Sequence, residues 1–178
     1  MLPIAKRLWL CGFHKGAAVS MIIKVDYAKT EEHPVQAIEL FKVMMRLEFS
    51  IKEIGYCKAT GNQNASVDWD RFANECLGAV FFDAVKTAGR AVTLIETPPK
   101  RQAADGNGHL SWEQTGPVSN IQDLIGSLRR VRNNLFHGGK SGDPDRDRND
   151  ALVRNALAVI HDILLRDQDL RMMFEGKY

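Results

Sequence analysis

A basic stretch with residue types suited to phosphate chemistry ends an apolar helical pattern. The segment RRVRNNLFHGGK, residues 129–140, holds four Arg and Lys residues, two Asn and one His, and no acidic residue. Arginine remains charged and presents a planar fork of donors to phosphate oxygens. Histidine changes its charge near neutral pH and can therefore move protons. The segment is a candidate phosphate-handling site, although a solvated helix end is the plainer interpretation.

Three residues of this segment fall where a helix would place them on different faces. Arg132 follows Leu128 by four residues, so it lies on the apolar face, where a snorkelling arginine is the alternative interpretation. Asn133 and His137 are four apart and share another face, and a lone histidine is more often a cap or a core residue. Arg132 and His137 point about 140° apart in a straight helix. They converge only if the following Gly-Gly pair distorts the last turn, if long side chains reach around, or if a second subunit completes the site.

Glu48 is an acidic residue inside an apolar helical sector. At about 100° per residue, it lies between Phe41 and Met44 in angle. An unpaired buried carboxylate is costly, so the pattern predicts a basic or hydrogen-bonding partner for Glu48. The alternative is that Glu48 lies at the edge of the apolar stripe and reaches water.

Four amphipathic helices are predicted to position these residues. The first covers 37–54, and the second begins at the cap Asp68 and continues at least to Lys86. The third follows Ser119 or Asn120, and the fourth follows Asp143-Pro144 and continues to about 165. The predicted apolar stripes are Trp69, Phe72, Cys76 and Val80 on the second helix and Ile121, Leu124, Ile125, Leu128, Val131 and Leu135 on the third.

The connection between the second and third helices carries Pro, Gly and Asn throughout. Residues 97–120 show no hydrophobic period, which predicts a long structureless loop of the kind that is often functional or mobile. The fold class expected is therefore all-α, a four-helix bundle with this inserted loop. We expect an N-terminal extension over 1–30 and one helical domain over 31–178.

Composition narrows the classes of protein that remain. The net charge of +2 is too small to indicate general nucleic-acid binding, so any such function must rest on a local patch. Three cysteines without close pairing indicate reduced thiols in a cytoplasmic protein. No apolar run approaches the length of a membrane span, and the N-terminus lacks the features of a signal peptide. Zinc and P-loop motifs are missing, so no metal or cofactor is expected.

The motif RNNLFH at the end of the third helix resembles the HEPN superfamily (higher eukaryotes and prokaryotes nucleotide-binding). Active members of that superfamily carry an Arg, four to six residues, and then a His. The form RNNLFHGG is similar to a subset with metal-independent endoribonuclease activity in toxin–antitoxin and antiphage systems. The segments 46–56 and 68–75 also resemble first- and second-helix segments of relatives near the Apea-like HEPN branch. The resemblance covers about residues 34 to 165.

The resemblance implies a role for each motif residue. Its catalytic arginine falls on Arg132, its polar companion on Asn133 and its histidine on His137, while Glu48 is the candidate acidic support from the first helix. The remaining basic residues, Arg129, Arg130 and Lys140, would attract the RNA backbone without sequence preference.

The resemblance also implies an assembly and a setting. In the family two subunits usually place their motifs along one cleft, so we expect a homodimer in which Leu128 and Leu135 pack around the two-fold axis. RNA is the expected substrate, and an antitoxin or other defence-system protein is a further expected partner. The alternative function is a non-catalytic HEPN module for dimerisation or for binding nucleotide, RNA or a partner.

Overall fold

The computed structural model describes residues 27–137 and 145–177, and this part of the chain is largely helical. The expectation of a helical fold is confirmed in its coarser form, a largely α fold, and two short antiparallel hairpins accompany the helices. The helices are α1 Ala28–Glu31, α2 Ala37–Glu53, α3 Trp69–Arg71, a π-helix Phe72–Leu77, α4 Gly78–Ala88, α5 Val92–Glu96, α6 Ile121–Phe136, α7 Arg146–Arg166 and α8 Gln168–Glu175. The strands are β1 Cys57–Ala59 and β2 Ala65–Val67, joined through a 3-10 turn at Gly61–Gln63, and β3 Arg101–Ala104 and β4 Leu110–Glu113.

The core lies between α2, α6 and α7. The π-helix and α4 pack against α6, and α5 packs against both α6 and α7. Helix α6 turns its predicted apolar stripe inward, and α2 and α7 bury apolar residues at the same spacing, because residues three and four apart lie on one face of a helix. The large side chains that are fully buried are Phe72, Leu40, Met44, Leu47, Ile51, Leu94, Leu124, Ile125, Leu128, Leu152, Ile160 and Ile163. Truncating one such leucine to alanine typically costs about 2–5 kcal/mol.

The second predicted helix contains a π-helical turn that shifts its buried face. Asp68 caps it as expected, and its carboxylate accepts a hydrogen bond from the Arg71 amide at 3.5 Å. From the end of the π-helix onward, burial falls one residue later than predicted: Leu77 is buried in place of Cys76, and Phe81 is buried in place of Val80, which is 72% exposed. A π-turn holds about one extra residue, which explains the shift.

Residues 97–120 are more ordered than predicted. They contain a hairpin in which Arg101 pairs with Glu113 and Ala104 pairs with Leu110. The base of the hairpin is fastened to the core: the Asn134 side chain donates to the Lys100 carbonyl at 2.9 Å. The apolar run just before it, which reads as β-rich in the sequence, is the short helix α5.

A further helix, α8, follows α7 and is missing from the four-helix prediction. Its cap is Asp167, whose carboxylate accepts from the Leu170 amide at 2.8 Å. Arg46 of α2 donates to the carbonyl oxygens of Met173 and Phe174 at 2.5 and 2.9 Å. Helix α8 therefore packs against α2 on the side that carries Arg46.

Of the helices in the described ranges, none has the length and apolar character needed to cross a membrane. The expected extension up to residue 26, the Gly-Gly pair at 138–139, Lys140 and the Asp143-Pro144 helix start lie outside the described residues. The fourth helix begins at the cap Asp145 within the described part, where its carboxylate accepts from the Arg148 amide.

Candidate active site

Helix α6 carries most of the candidate residues, and its N-terminus is firmly capped. The Asn120 side chain accepts a hydrogen bond from the Asp123 amide at 2.9 Å. Asp123 in turn accepts from the amide and hydroxyl of Ser119 at 3.1 and 2.8 Å. Such caps satisfy amide groups that have no partner within the helix. Leu128 and Val131 are buried against the core, so the rotation of α6 about its axis is fixed.

Arg132 lies at the edge of that buried face and is held by three neighbours. Its Nη2 forms an ion pair and hydrogen bond with Glu48 Oε1 of α2. Its Nη1 donates to Asn133 Oδ1 at 2.9 Å, and its guanidinium lies 5.8 Å from the centre of the Phe136 ring. The side chains of Arg132 and Glu48 are 30% and 25% exposed. Glu48 therefore has the basic partner that the sequence predicted, and it also reaches water.

His137 is the C-cap of α6 and its side chain is exposed. Its backbone amide donates to the Asn133 carbonyl at 2.9 Å, so the helix is regular up to this residue. Within the described ranges, no hydrogen bond joins the His137 ring to Arg132. The structure thus brings Glu48, Arg132 and Asn133 together and leaves His137 at the adjacent helix end.

Two surface pockets lie beside Arg132. One of about 290 Å³ is lined by His33, Ala37, Ile38, Leu40, Phe41, Arg132, Leu135 and Phe136. The other, of about 230 Å³, is lined by Phe41, Met44, Met45, Glu48, Arg132 and Phe136. Phe41 and Phe136 line both, and their ring centroids are 4.8 Å apart at an interplanar angle of 58°. An aromatic pair and one guanidinium therefore form the wall shared by both pockets.

The predicted RNA-binding residues are spread over two sides of α6. Arg129 is exposed and lies 5.5 Å from the centre of the Trp69 ring. Arg130 is half-buried; burial lowers its pKa, and the like charge of Arg101 on the hairpin lowers that pKa further. Arg101 is a basic neighbour that the sequence analysis missed, because only the hairpin places it near α6. Lys140 lies outside the described residues.

The expected dimer surface is wrong for Leu128, which is fully buried within the protomer's own core. Leu135 is half-buried and lines a pocket. Several large apolar side chains are exposed at various places on the surface, and four of them lie together on one face of α2: Ile38, Phe41, Met45 and Phe49, with exposures of 54%, 39%, 60% and 37%. Their spacing of three, four and four residues is itself a helical stripe, so the sequence carried this signal as a second apolar face of the first helix.

Among the residues 27–137 and 145–177, no group of three or more His, Cys, Asp or Glu side chains is arranged to hold a metal ion. Compared with known protein families, curated proteins and solved structures, the chain matches none. The likeness to the HEPN superfamily is thus carried by the residues of the chain alone.

Proposed function

We propose that this chain is a HEPN-like endoribonuclease that cleaves RNA without a metal ion, using Arg132, Asn133 and His137. The observation that carries the proposal is the position of Arg132. It is half-exposed beside two pockets, oriented by Glu48 and Asn133, and on the same helix end as His137. A guanidinium fixed in this way is preorganised for an anion, and preorganised charge is an effective form of catalysis.

The chemistry uses the nucleophile that RNA itself provides. His137 takes the proton from a 2′-OH, whose oxygen attacks the adjacent phosphorus. The bond to the 5′-oxygen of the next nucleotide breaks, and the protonated imidazole supplies a proton to that oxygen, directly or through water. The products are a 2′,3′-cyclic phosphate and a 5′-hydroxyl end. Arg132 stabilises the charge that develops on the phosphate oxygens, and Asn133 orients the phosphate or the imidazole.

Glu48 is a positioning residue in this scheme. A guanidinium has five N–H donors, and the contacts with Glu48 and Asn133 occupy one each on Nη2 and Nη1. Three N–H groups therefore remain for phosphate oxygens. The carboxylate fixes the direction of the guanidinium and also partly neutralises its charge. Arg132 is therefore better oriented but binds a phosphate less tightly.

A homodimer accounts for two features of the site. Arg132 and His137 diverge by about 140° around α6, so the histidine of a second subunit is a natural complement to each arginine. The outward face of α2 is apolar at Ile38, Met45 and Phe49, and exposed patches of this kind mark interaction sites. An isologous contact through that face would bring both motifs to the edges of one interface.

The test is cleavage of end-labelled RNA in EDTA by the wild type and four variants. His137→Ala and Arg132→Ala should each lose activity by about 10²-fold or more. The matched controls are His161→Ala and Arg154→Ala, which remove an exposed histidine and an exposed arginine from α7. Controls should cleave like the wild type. A His137→Ala protein that cleaves RNA at the wild-type rate would overturn the assignment.

A second candidate function is a non-catalytic HEPN module, and one observation favours it: the charge of Arg132 is already paired with Glu48. A wild-type chain that binds RNA or a protein partner yet cleaves nothing would support this function. The proposed setting is bacterial defence or a toxin system in the cytoplasm, with an antitoxin or other defence protein as a further partner. That setting rests on the resemblance alone.

A further inference from the structure

Two exposed aromatic rings flank the arginine that would bind the scissile phosphate. Phe41 is 39% exposed and Phe136 is 54% exposed, although phenylalanine has no polar atom to satisfy in water. The two rings belong to different helices, and their contact at 4.8 Å fixes both. Exposed aromatics beside a cation are the recurring elements of single-stranded nucleic-acid sites, because every base has a face that can stack.

We propose that Phe41 and Phe136 form a nucleobase subsite, which stacks the unpaired base next to the phosphate bound by Arg132. This inference rests on the proposed function and names its substrate class: single-stranded RNA. The pocket of about 290 Å³ beside the rings lies at the lower end of the size range of small-molecule sites. A base inserted there keeps its sugar-phosphate at the pocket mouth, where Arg132 forms part of the wall.

A polar side chain at the edge of the larger pocket, His33, favours bases with hydrogen-bond donors. The His33 ring places Nδ1 3.0 Å from the Pro34 carbonyl. A carbonyl oxygen only accepts, so Nδ1 carries the proton and a neutral His33 presents Nε2 as an acceptor. Glu48 lines the smaller pocket and not this one, so the acceptor offered to a base here is Nε2 of His33. Uracil also has a donor at N3, so adenine is favoured by the larger area over which its two rings stack.

The same rings also border the proposed dimer surface, but they differ from it in position. On α2, Phe41 lies on the Glu48 side of the apolar stripe, and Ile38, Met45 and Phe49 lie farther round the helix by ideal helical geometry. Both pockets beside the ring pair contain Arg132, and they reach the edge of the dimer surface at Ile38 in the larger pocket and at Met45 in the smaller. The ring pair therefore belongs to the edge that faces the phosphate site, where a bound strand would run.

The test measures binding of uncleavable RNA to the full chain. Three fluorescent probes are matched in length and charge: a 2′-O-methyl oligo(A), a 2′-O-methyl oligo(U) and an abasic 2′-O-methyl oligomer. Phe136→Leu removes the aromatic face but keeps an apolar side chain. It should weaken oligo(A) binding by about 5- to 100-fold, the range for loss of stacking on one base. Binding of the abasic probe should be unchanged, and oligo(U) should bind more weakly than oligo(A) to the wild type.

Trp112→Leu is the matched control, since Trp112 is an exposed aromatic ring on β4 that lines neither pocket and lies outside the proposed dimer surface. It should bind all probes like the wild type. Equal weakening of both the oligo(A) and abasic probes by Phe136→Leu would show that the ring acts through Arg132 and would overturn the subsite. Loss of the dimer in sedimentation by Phe136→Leu would overturn it too, by assigning the ring to the interface.

The outcomes also separate this inference from the proposed function. Stacking that depends on Phe136 in a chain that cleaves no RNA would retain the subsite and reject the nuclease. Cleavage that depends on His137, with probe binding indifferent to Phe136, would retain the nuclease and reject the subsite.

Discussion

Replacing Glu48 with glutamine should separate the orienting effect of the carboxylate from its electrostatic effect. The glutamine carbonyl still accepts a hydrogen bond from Arg132, but the negative charge is gone. The side chains are 30% and 25% exposed, so the pair is neither a free surface pair nor fully buried. Exposed pairs are worth about 0.2–1 kcal/mol, and unit charges 4 Å apart at an effective dielectric constant of 20 interact by about 4 kcal/mol. For the interaction between the charges of Arg132 and Glu48 we take about 1.5 kcal/mol, which lies between these limits and is discounted for solvent screening.

The carboxylate repels a phosphate bound to the same guanidinium by an energy of about the same size, which corresponds to about tenfold in affinity for an anion at Arg132. Glu48→Gln should therefore bind uncleavable 2′-O-methyl RNA about tenfold more tightly than the wild type at fixed salt. Glu48→Ala removes the orienting contact as well, so it should bind RNA tightly but cleave it slowly. Fluorescence anisotropy gives the affinity and a gel assay gives the cleavage rate.

Glu39→Gln is the matched control, because it removes the same charge from an exposed position of α2. It changes the net charge equally, and within the described residues its side chain accepts a hydrogen bond from nearby Gln36. Its effect on RNA affinity should be small and should vanish as salt rises. If Glu48→Gln and Glu39→Gln change RNA affinity by the same factor, Glu48 does not restrain the charge of Arg132.

Three further predictions concern assembly, folding and thiol chemistry. Met45→Asp places a charge on the exposed stripe of α2 and should weaken the dimer about tenfold or more in sedimentation, whereas Val80→Asp on α4 should not; an unchanged dimer would exclude this face. Asn120→Ala removes the cap of α6 and should lower the free energy of unfolding by about 0.5–2 kcal/mol in urea titrations; no loss would show that the cap is not needed. Burial, and then Asp167, raises the pKa of Cys76 to about 11, so the thiol stays protonated at pH 8. A variant with Cys76 as its only cysteine should react with iodoacetamide far more slowly than one with only the exposed Cys57, and comparable rates would contradict the shifted pKa.

The sequence predicts the long helices because their hydrophobic period is strong. The first, third and fourth predicted helices correspond to α2, α6 and α7, whose apolar stripes form the core. Asp68 and Asn120 are capping residues because short polar side chains satisfy free amide groups at helix starts. The pairing of Glu48 was predictable because a carboxylate among apolar residues needs a partner. That the partner is Arg132 depends on the packing of α2 against α6, which the sequence does not specify.

Other features depend on tertiary structure or on local backbone changes. The π-turn at Phe72–Leu77 displaces the buried face by one residue. The hydrophobic periodicity of the sequence does not predict this turn. Gly78, at φ +68°, follows this turn in a conformation that glycine adopts without strain. The hairpin β3–β4 has weak strand propensity in its own sequence and is fastened to the core through backbone groups such as the Lys100 carbonyl. The prediction that Leu128 lies at a dimer interface is wrong because an apolar stripe does not show by itself which of its residues the protomer's own core buries.

Cleavage that uses the RNA's own 2′-OH as the nucleophile is tested most directly by the chemistry of the cut ends. Wild-type protein in EDTA is given an end-labelled RNA, together with the same RNA carrying a single 2′-deoxy nucleotide at the cleaved position. The upstream fragment should end in a 2′,3′-cyclic phosphate or its hydrolysed form, and the deoxy substitution should abolish cleavage at that position. Cleavage at the deoxy nucleotide, a 3′-hydroxyl end, or activity that appears only when Mg²⁺ is added would contradict the proposed mechanism.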